Sequence, residues 1–503
     1  MKYSRIVLVE PKAAGYHVYS RLRLPRLGLP ILGAVLQKTG REVGVYCQDI
    51  REIDHSELLS ADLVGISTTT STAPEAYRIA QKARKQGIPT VIGGVHATFM
   101  PDEALRHADY CLRGEAEESF PLLIEALEAG GGVESVPGLS FRRGEETVHN
   151  PDADRIKDLD SLPFPDLSLV RGYDKAALSP VLTSRGCPYS CNFCTVTSVF
   201  GRRYRFRSPE NVVEELQSSK PSQVFFYDDN FTADPRRTKQ LLELMLRKGI
   251  TPGWTAQARV DAARDKELLR LMKRSNCFYV YLGLESVNPE TLKEYDKKQT
   301  VEQIVEGVRR FHEHNILVHG MFVFGAAHDD AQTIRDTVRF ALRNKIDTVQ
   351  FMTLTPLPGT AYFGNLEAQD RLLTRDWSLY DGQHVVYSPE KMTPFELQKE
   401  TFRAMKRFYG LLECAKMVAG VDVLSFAVKF NVNLLLGRWQ NAKRHFWSRF
   451  LKGFYRLYGH ILIRRFESAN REFMRQIRQD WAQLAQRMRD GYSGERGAGR
   501  RIV

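Results

Sequence analysis

Apolar runs of strand length, separated by stretches of helical period, recur in two series along this chain of 503 residues. The first series predicts strands at 5–11, 44–49, 63–67, 89–94 and 110–114, with helices between them. Strand followed by helix followed by strand leads to a parallel sheet, because a parallel neighbour needs a crossover long enough to hold a helix. The expected unit over residues 1–130 is an α/β doubly wound parallel sheet. Ligands of such sheets lie beyond the carboxyl ends of the strands. Those ends carry Glu10-Pro11, Ser67-Thr68-Thr69-Thr70, Gly93-Gly94-Val95-His96 and Arg113-Gly114-Glu115-Ala116-Glu117. The glycine pair lets a ligand approach the backbone. On this pattern alone the sheet could hold a nucleotide, a flavin or nothing.

Gly130-Gly131-Gly132 closes that unit, and residues 131–176 read as a linker. It contains an expected hairpin around Arg143-Gly144 and an extended connector, Leu162-Pro163-Phe164-Pro165, whose prolines restrict the backbone. The strand-helix rhythm then resumes for six units, with strands expected at 180–186, 223–229, 254–259, 279–285, 317–325 and 348–355. Six parallel units make an open, partial (β/α)6 barrel over residues 177–375, with chemistry expected at its carboxyl-terminal face. Residues 376–503 change to a mainly helical pattern.

Directly after the first barrel strand stands Arg185-Gly186-Cys187-Pro188-Tyr189-Ser190-Cys191-Asn192-Phe193-Cys194. Three thiolates in eight residues at the end of a strand can grip one inorganic centre. A structural zinc normally takes four protein ligands and a ferredoxin cluster four cysteines. Here Cys47, Cys111, Cys277 and Cys414 are scattered singly. The clamp therefore points to a 4Fe-4S cluster whose fourth iron is open to a small molecule.

The Cys-x3-Cys-x2-Cys spacing, preceded by Arg-Gly, resembles the signature of the radical S-adenosylmethionine (SAM) superfamily. The resemblance implies that Cys187, Cys191 and Cys194 hold the cluster, that SAM chelates the open iron, and that an electron cleaves SAM to a 5'-deoxyadenosyl radical. Strand two of the barrel lacks the Gly-Gly-Glu triplet common in the superfamily and ends in Asp228-Asp229-Asn230-Phe231. With Leu162-Pro163-Phe164-Pro165, Gly283-Leu284-Glu285-Ser286, Pro356-Leu357-Pro358-Gly359-Thr360 and the Arg-Gly-Glu-x-Glu string at 113–117, the layout is similar to the subgroup with an N-terminal, Rossmann-like cobalamin-binding domain. The likeness covers roughly residues 1–390. It implies a ribose contact from Glu285, an ammonium contact from Asp228 or Asp229, a carboxylate contact from Arg259 and an adenine contact from the Phe193 backbone. In the first domain it points to Ser67, Thr68, Gly93, Gly94, His96 and Glu115 as cobalamin contacts. The Asp-x-His-x-x-Gly string that places histidine on cobalt in many corrinoid proteins does not occur here, and in this subgroup that face is often left without a protein histidine.

The net charge of +12 looks like a nucleic-acid signal until it is located. From Lys429 onward there are 17 Lys and Arg against 5 Asp and Glu, so the whole excess sits in the tail and the first 428 residues balance. In that tail Phe446, Trp447, Phe450, Phe454, Tyr458 and Ile461 recur at helical steps among cations. This suits a helix at an anionic membrane surface, each cation adding about 1 kcal/mol, and equally an amphipathic helix packed on the barrel. Nucleic acid is not an expected partner. An odd number of cysteines without a paired framework argues for a reducing, cytoplasmic setting, with peripheral contact at the inner membrane face through the tail. The expected reaction is C-methylation of an unactivated carbon in a small hydrophobic, lipid-like substrate, fed by a donor such as flavodoxin or ferredoxin. Oxidative cyclisation, ring contraction or carbon-carbon bond formation is the alternative within the same chemistry. A non-catalytic corrinoid or iron-sulfur protein is the alternative outside it.

Overall fold

Seven strands, β1 (Arg5–Glu10), β2 (Glu42–Cys47), β3 (Leu63–Ser67), β4 (Thr90–Gly93), β5 (Tyr110–Leu112), β6 (Leu139–Arg143) and β7 (Glu146–His149), form the first sheet in the order β2-β1-β3-β4-β5-β6-β7. This is a computed structural model, which describes residues 2–14, 24–173 and 178–410 and the single positions 471, 475 and 479. The expectations for the tail from 429 onward lie outside the described residues.

β1 to β5 run parallel, and β1 shows why its apolar run is continuous: both of its faces are covered. Ile6 and Leu8 pack with Leu29, Leu32 and Leu36 of the helix Gly28–Gln37 and with Leu123 of the helix Ser119–Ala129. Val7 and Val9 face the other way, toward Ala76, Ile79, Ala80 and Ala83 of the helix Ala73–Arg84.

The stretch read from sequence as a linker belongs largely to this sheet. β6 pairs antiparallel with the short β5, and β7 folds back on β6 around Gly144, whose φ is +64°. The chain then returns to the opposite edge, where Val170 bridges Val45 and the Arg171 N–H donates to the Val45 carbonyl at 2.8 Å. One edge of the parallel sheet is thus covered by the hairpin, and the other is met at Val45 by the returning chain.

The second sheet holds β8 (Ser179–Val181), β11 (Gln223–Phe226), β12 (Gly253–Ala258), β13 (Cys277–Glu285), β14 (Leu317–Phe324) and β15 (Thr348–Thr353), all parallel, in the order β15-β14-β13-β12-β11-β8. The first expected barrel strand is split. After β8 the chain leaves the sheet, and β9 (Ser184–Arg185) pairs antiparallel with β10 (Arg205–Phe206) as a separate ribbon. Fully buried side chains such as Val224, Phe226, Val280, Leu282, Phe322 and Phe351 pack in the barrel core with the surrounding helices. Their neighbours Phe225, Tyr227, Tyr281, Met321 and Met352, on the other face, are only half-buried.

Residues 361–387 tie the two sheets together instead of beginning a separate helical region. Phe363, Trp377, Tyr380 and Val386 enter the apolar core of the first sheet, while Val385 and Tyr387 enter that of the barrel. The helix Pro394–Phe408 then packs Leu397, Ala404, Met405 and Phe408 on the barrel. Tyr409 Oη accepts from the Val349 N–H at 2.9 Å and donates to the Val349 carbonyl at 2.6 Å, closing the edge at β15.

Candidate cofactor cleft and cluster loop

The carboxyl ends of the first sheet open on a cleft with about 1380 Å³ of empty space, solvent at its mouth included. Ser67, Thr68, Thr69, Gly93, Gly94 and Glu115 line one wall, while Leu182, Ser184, Arg185, Tyr227 and Asp229, from the start and second strand of the barrel, line the other. Gly94 makes the near wall possible: its φ is +89°, and a Cβ there would lie 2.5 Å from the Thr68 carbonyl oxygen. The Thr68 hydroxyl donates to the Gly93 carbonyl at 3.0 Å and accepts from the Ala97 N–H at 3.3 Å, so it braces the wall.

Two of the residues expected to touch a corrinoid behave differently. His96 does not line the cleft. It is 1% exposed, with Nε2 3.1 Å from Tyr77 Oη and its ring 5.1 Å from that of Trp377. The helix that starts after Gly94 turns His96 inward, under the segment that links the two sheets. Glu115 does reach the cleft, but its carboxylate is taken by Arg185, Arg205 and the Ile156 N–H. It is an inter-domain anchor.

The cysteine loop runs from β9 to the short helix Val196–Phe200. Cys187, Cys191 and Cys194 are free, half-exposed thiols. Burial raises all three above the ordinary thiol range, Cys194 to about 12, so metal bonding is what would hold them as thiolates near neutrality. The loop is pinned to residues 294–296: Ser190 Oγ donates to Asp296 at 2.8 Å, Asn192 Nδ2 donates to the Glu294 carbonyl at 2.8 Å, and the Phe193 ring lies 4.7 Å from that of Tyr295. No three His, Cys, Asp or Glu among the described residues are grouped to hold one metal ion. A cubane, by contrast, takes each cysteine on a separate iron corner.

Around this loop the structure gathers Asp229, Arg259 and Glu285 and sets Asp228 apart. Asp228 is fully buried, accepts from Thr183 Oγ1 at 3.0 Å and from Ser184 Oγ, and holds β8 and β9 to β11. Asp229 is exposed on the open side, where desolvation within the cleft and then the Asp228 charge raise its carboxyl above the usual carboxylate range. The Arg259 guanidinium stacks over the Tyr189 ring at 3.7 Å and donates to the Lys297 carbonyl at 2.6 Å. Glu285, at φ +59°, accepts from Lys297 Nζ at 2.7 Å. Lys297 was not singled out from sequence; its spacing from Glu285 carries no motif, and only the fold brings the two together.

Residues 181–341 match the Radical SAM superfamily and residues 17–124 the B12 binding domain. An uncharacterized methyltransferase of Pyrococcus horikoshii is 30% identical over 429 residues, which cover 81% of this chain and 93% of that one. The chain belongs to the radical SAM superfamily. Within the superfamily it carries the B12-binding domain, so it is an enzyme whose cofactors are a 4Fe-4S cluster, SAM and cobalamin. The bacteriochlorophyllide d C-12(1)-methyltransferase of Chlorobaculum tepidum is 32% identical, covering 69% of this chain and 77% of that one. The anaerobic magnesium-protoporphyrin IX monomethyl ester cyclase of Cereibacter sphaeroides is 30% identical, covering 68% and 60%. Two solved radical SAM structures share the fold. The methyltransferase TsrM of Kitasatospora setae, with cobalamin and a 4Fe-4S cluster bound, has a TM-score of 0.61 at 21% identity, covering 73% of this chain and 78% of that one. The cobalamin-dependent enzyme OxsB, with aqua-cobalamin bound, has a TM-score of 0.65 at 15% identity, covering 92% and 84%.

The residues present fit these radical SAM cofactors. Asn192 Oδ1, within the cysteine loop, and Gln299 Oε1, beside the Glu285–Lys297 pair, are buried without hydrogen-bond partners and are open to donors of an added group. The cleft beside Gly93 and Gly94 gives a second, larger group access to the backbone. Among the described residues no helix is long and apolar enough to cross a membrane.

Proposed function

We propose that this enzyme methylates an unactivated carbon of a small hydrophobic substrate, such as a polycyclic or lipid-like molecule. The observation that carries the reading is the shared cleft: Ser67, Gly93 and Gly94 of the B12-binding domain and Tyr227 and Asp229 of the barrel line one continuous space. When bound, the cluster supplies the electron that cleaves SAM to a radical, and cobalamin carries the methyl group. The chain positions these groups and excludes water. Cys187, Cys191 and Cys194 would hold the cluster. Asp229 would receive the ammonium of SAM, and Arg259 and Glu285 would take the carboxylate and ribose. Leu182, Val199 and Phe200 give the cleft an apolar barrel-side wall. Behind Tyr227 of that wall the Phe225 ring lies 5.4 Å away and in turn 5.6 Å from that of Tyr281, an aromatic row suited to an apolar substrate.

A cyclase or other rearrangement is the second reading, favoured by the 30% identity to the Cereibacter enzyme. Turnover with SAM carrying a deuterated methyl group separates the two. Label retained in the product supports methyl transfer. Unlabelled product formed while SAM is consumed supports rearrangement. Protein that binds the cofactors but never cleaves SAM on reduction contradicts both and leaves a carrier. The attachment of the tail to membranes is tested by flotation with anionic liposomes, which should weaken when residues 429–503 are removed.

A further inference from the structure

Four buried charges meet where the cleft loop touches the root of the cysteine loop. Glu115 and Glu117 come from the loop after β5, Arg185 from β9 and Arg205 from β10, and every one of these side chains is less than a tenth exposed. Arg185 Nη1 donates to Glu115 Oε1 at 2.9 Å and its Nη2 donates to Glu117. Arg205 reaches both Glu115 oxygens, at 2.8 and 2.9 Å, and also donates to the Ile156 carbonyl. The Ile156 N–H returns a bond to Glu115 at 2.9 Å. Arg185 and Arg205 stand opposite each other in the antiparallel ribbon, so both guanidinium groups are presented together.

Stability alone does not explain this arrangement. Taking ions out of water costs several kcal/mol each, and an apolar contact of similar volume often holds two surfaces equally well. What a forked guanidinium adds is direction: it donates to its carboxylates in one geometry and so fixes register. Both ends of the network border a cofactor region. Gly114, Glu115, Ala116 and Glu117 line the cleft, and Arg185 is separated from Cys187 by a single residue. That residue, Gly186, has φ +89°, and a Cβ there would lie 2.9 Å from the Arg203 carbonyl oxygen, so the turn is confined.

We propose that Arg185, gripped by Glu115 and Glu117, is a positioning residue that sets how far the cysteine loop stands from the cleft. The proposal rests on the reading that the three thiols hold the cluster and the cleft holds cobalamin. A displacement of the 114–117 loop then passes through Arg185 to Cys187, and the separation of the two cofactor sites becomes a property of one ion network.

The test uses full-length protein, reconstituted anaerobically with iron, sulfide and cobalamin, then reduced so that cob(II)alamin and the cluster each carry an unpaired spin. Iron and cobalamin contents are measured in the parent, Arg185→Lys and Glu115→Gln. The magnetic interaction between the two spins is then read by EPR. The expected result is one defined interaction in the parent. Both variants should keep the parent's cofactor contents but show a broadened and shifted interaction. An unchanged interaction in both variants at full occupancy overturns the proposal. Loss of iron or cobalamin from both variants also overturns it, because the network then maintains the fold and sets no distance. A parent that takes up only one of the two cofactors removes the reading on which the proposal stands.

Discussion

Lys297 Nζ donates to Glu285 Oε1 at 2.7 Å with both side chains less than a tenth exposed, and Gly283 leaves the room for the pair, since a Cβ there would lie 2.6 Å from the same oxygen. Removing the cation strands a buried carboxylate. Lys297→Met is expected to lower unfolding stability by about 3–5 kcal/mol, measured by chemical denaturation of the apo-protein. Lys297→Met combined with Glu285→Gln should recover part of that loss. A double variant as unstable as the single one would contradict the pairing.

His319 supplies a pH dependence. Its Nδ1 lies 2.8 Å from Thr348 Oγ1 and 3.3 Å from Tyr279 Oη, and burial pushes its imidazole down to about 4. The unfolded chain titrates near 6.5, so between these values the native state binds fewer protons than the unfolded one. The contribution is complete above about pH 6.5 and is lost as pH falls toward about 4, by roughly 3 kcal/mol in all. His319→Gln should flatten that part of the stability profile. Parallel profiles for parent and variant would show that His319 is not the group responsible.

Gly94 is the position where the cleft wall tolerates no side chain. Gly94→Ala forces a left-handed residue against the Thr68 backbone. The strain is expected to cost about 1–3 kcal/mol. If it is expressed in the wall, cobalamin binding weakens by about tenfold or more. Titration with hydroxocobalamin, followed by absorbance, checks this, and parent-like affinity would place the corrinoid elsewhere.

His96, turned under Trp377, should give cobalt no nitrogen. The cob(II)alamin EPR spectrum of the parent is expected to show no coupling to a protein nitrogen, and His96→Asn should leave it unchanged. Nitrogen coupling that disappears in the variant would contradict the observed orientation.

Much of this was legible in the sequence because parallel strands covered on both faces, such as Ile6-Val7-Leu8-Val9, read as continuous apolar runs. The cysteine spacing is local and survives without a fold. The choice between Asp228 and Asp229 needed the position of the strand. Side chains alternate along β11, so Asp228 follows the buried Phe226 and Asp229 follows the half-buried Tyr227. Pairings across long sequence separations left no trace. Arg205 with Glu115, Lys297 with Glu285 and the return of Val170 to Val45 are set by topology alone. The turn at Arg143-Gly144 marks the hairpin of β6 and β7 but not its place on β5, since nothing local distinguishes a free hairpin from one that completes a sheet.

In the proposed reaction Cys187, Cys191 and Cys194 hold a cubane whose remaining iron is free for SAM. Mössbauer spectroscopy of anaerobic protein reconstituted with iron-57, recorded before and after adding SAM, reads whether that iron is open. One iron of the four should separate from the other three when SAM is added, and Cys187→Ala should abolish the cluster signal. A spectrum that SAM leaves untouched, with all four irons equivalent throughout, would rule out an open iron corner.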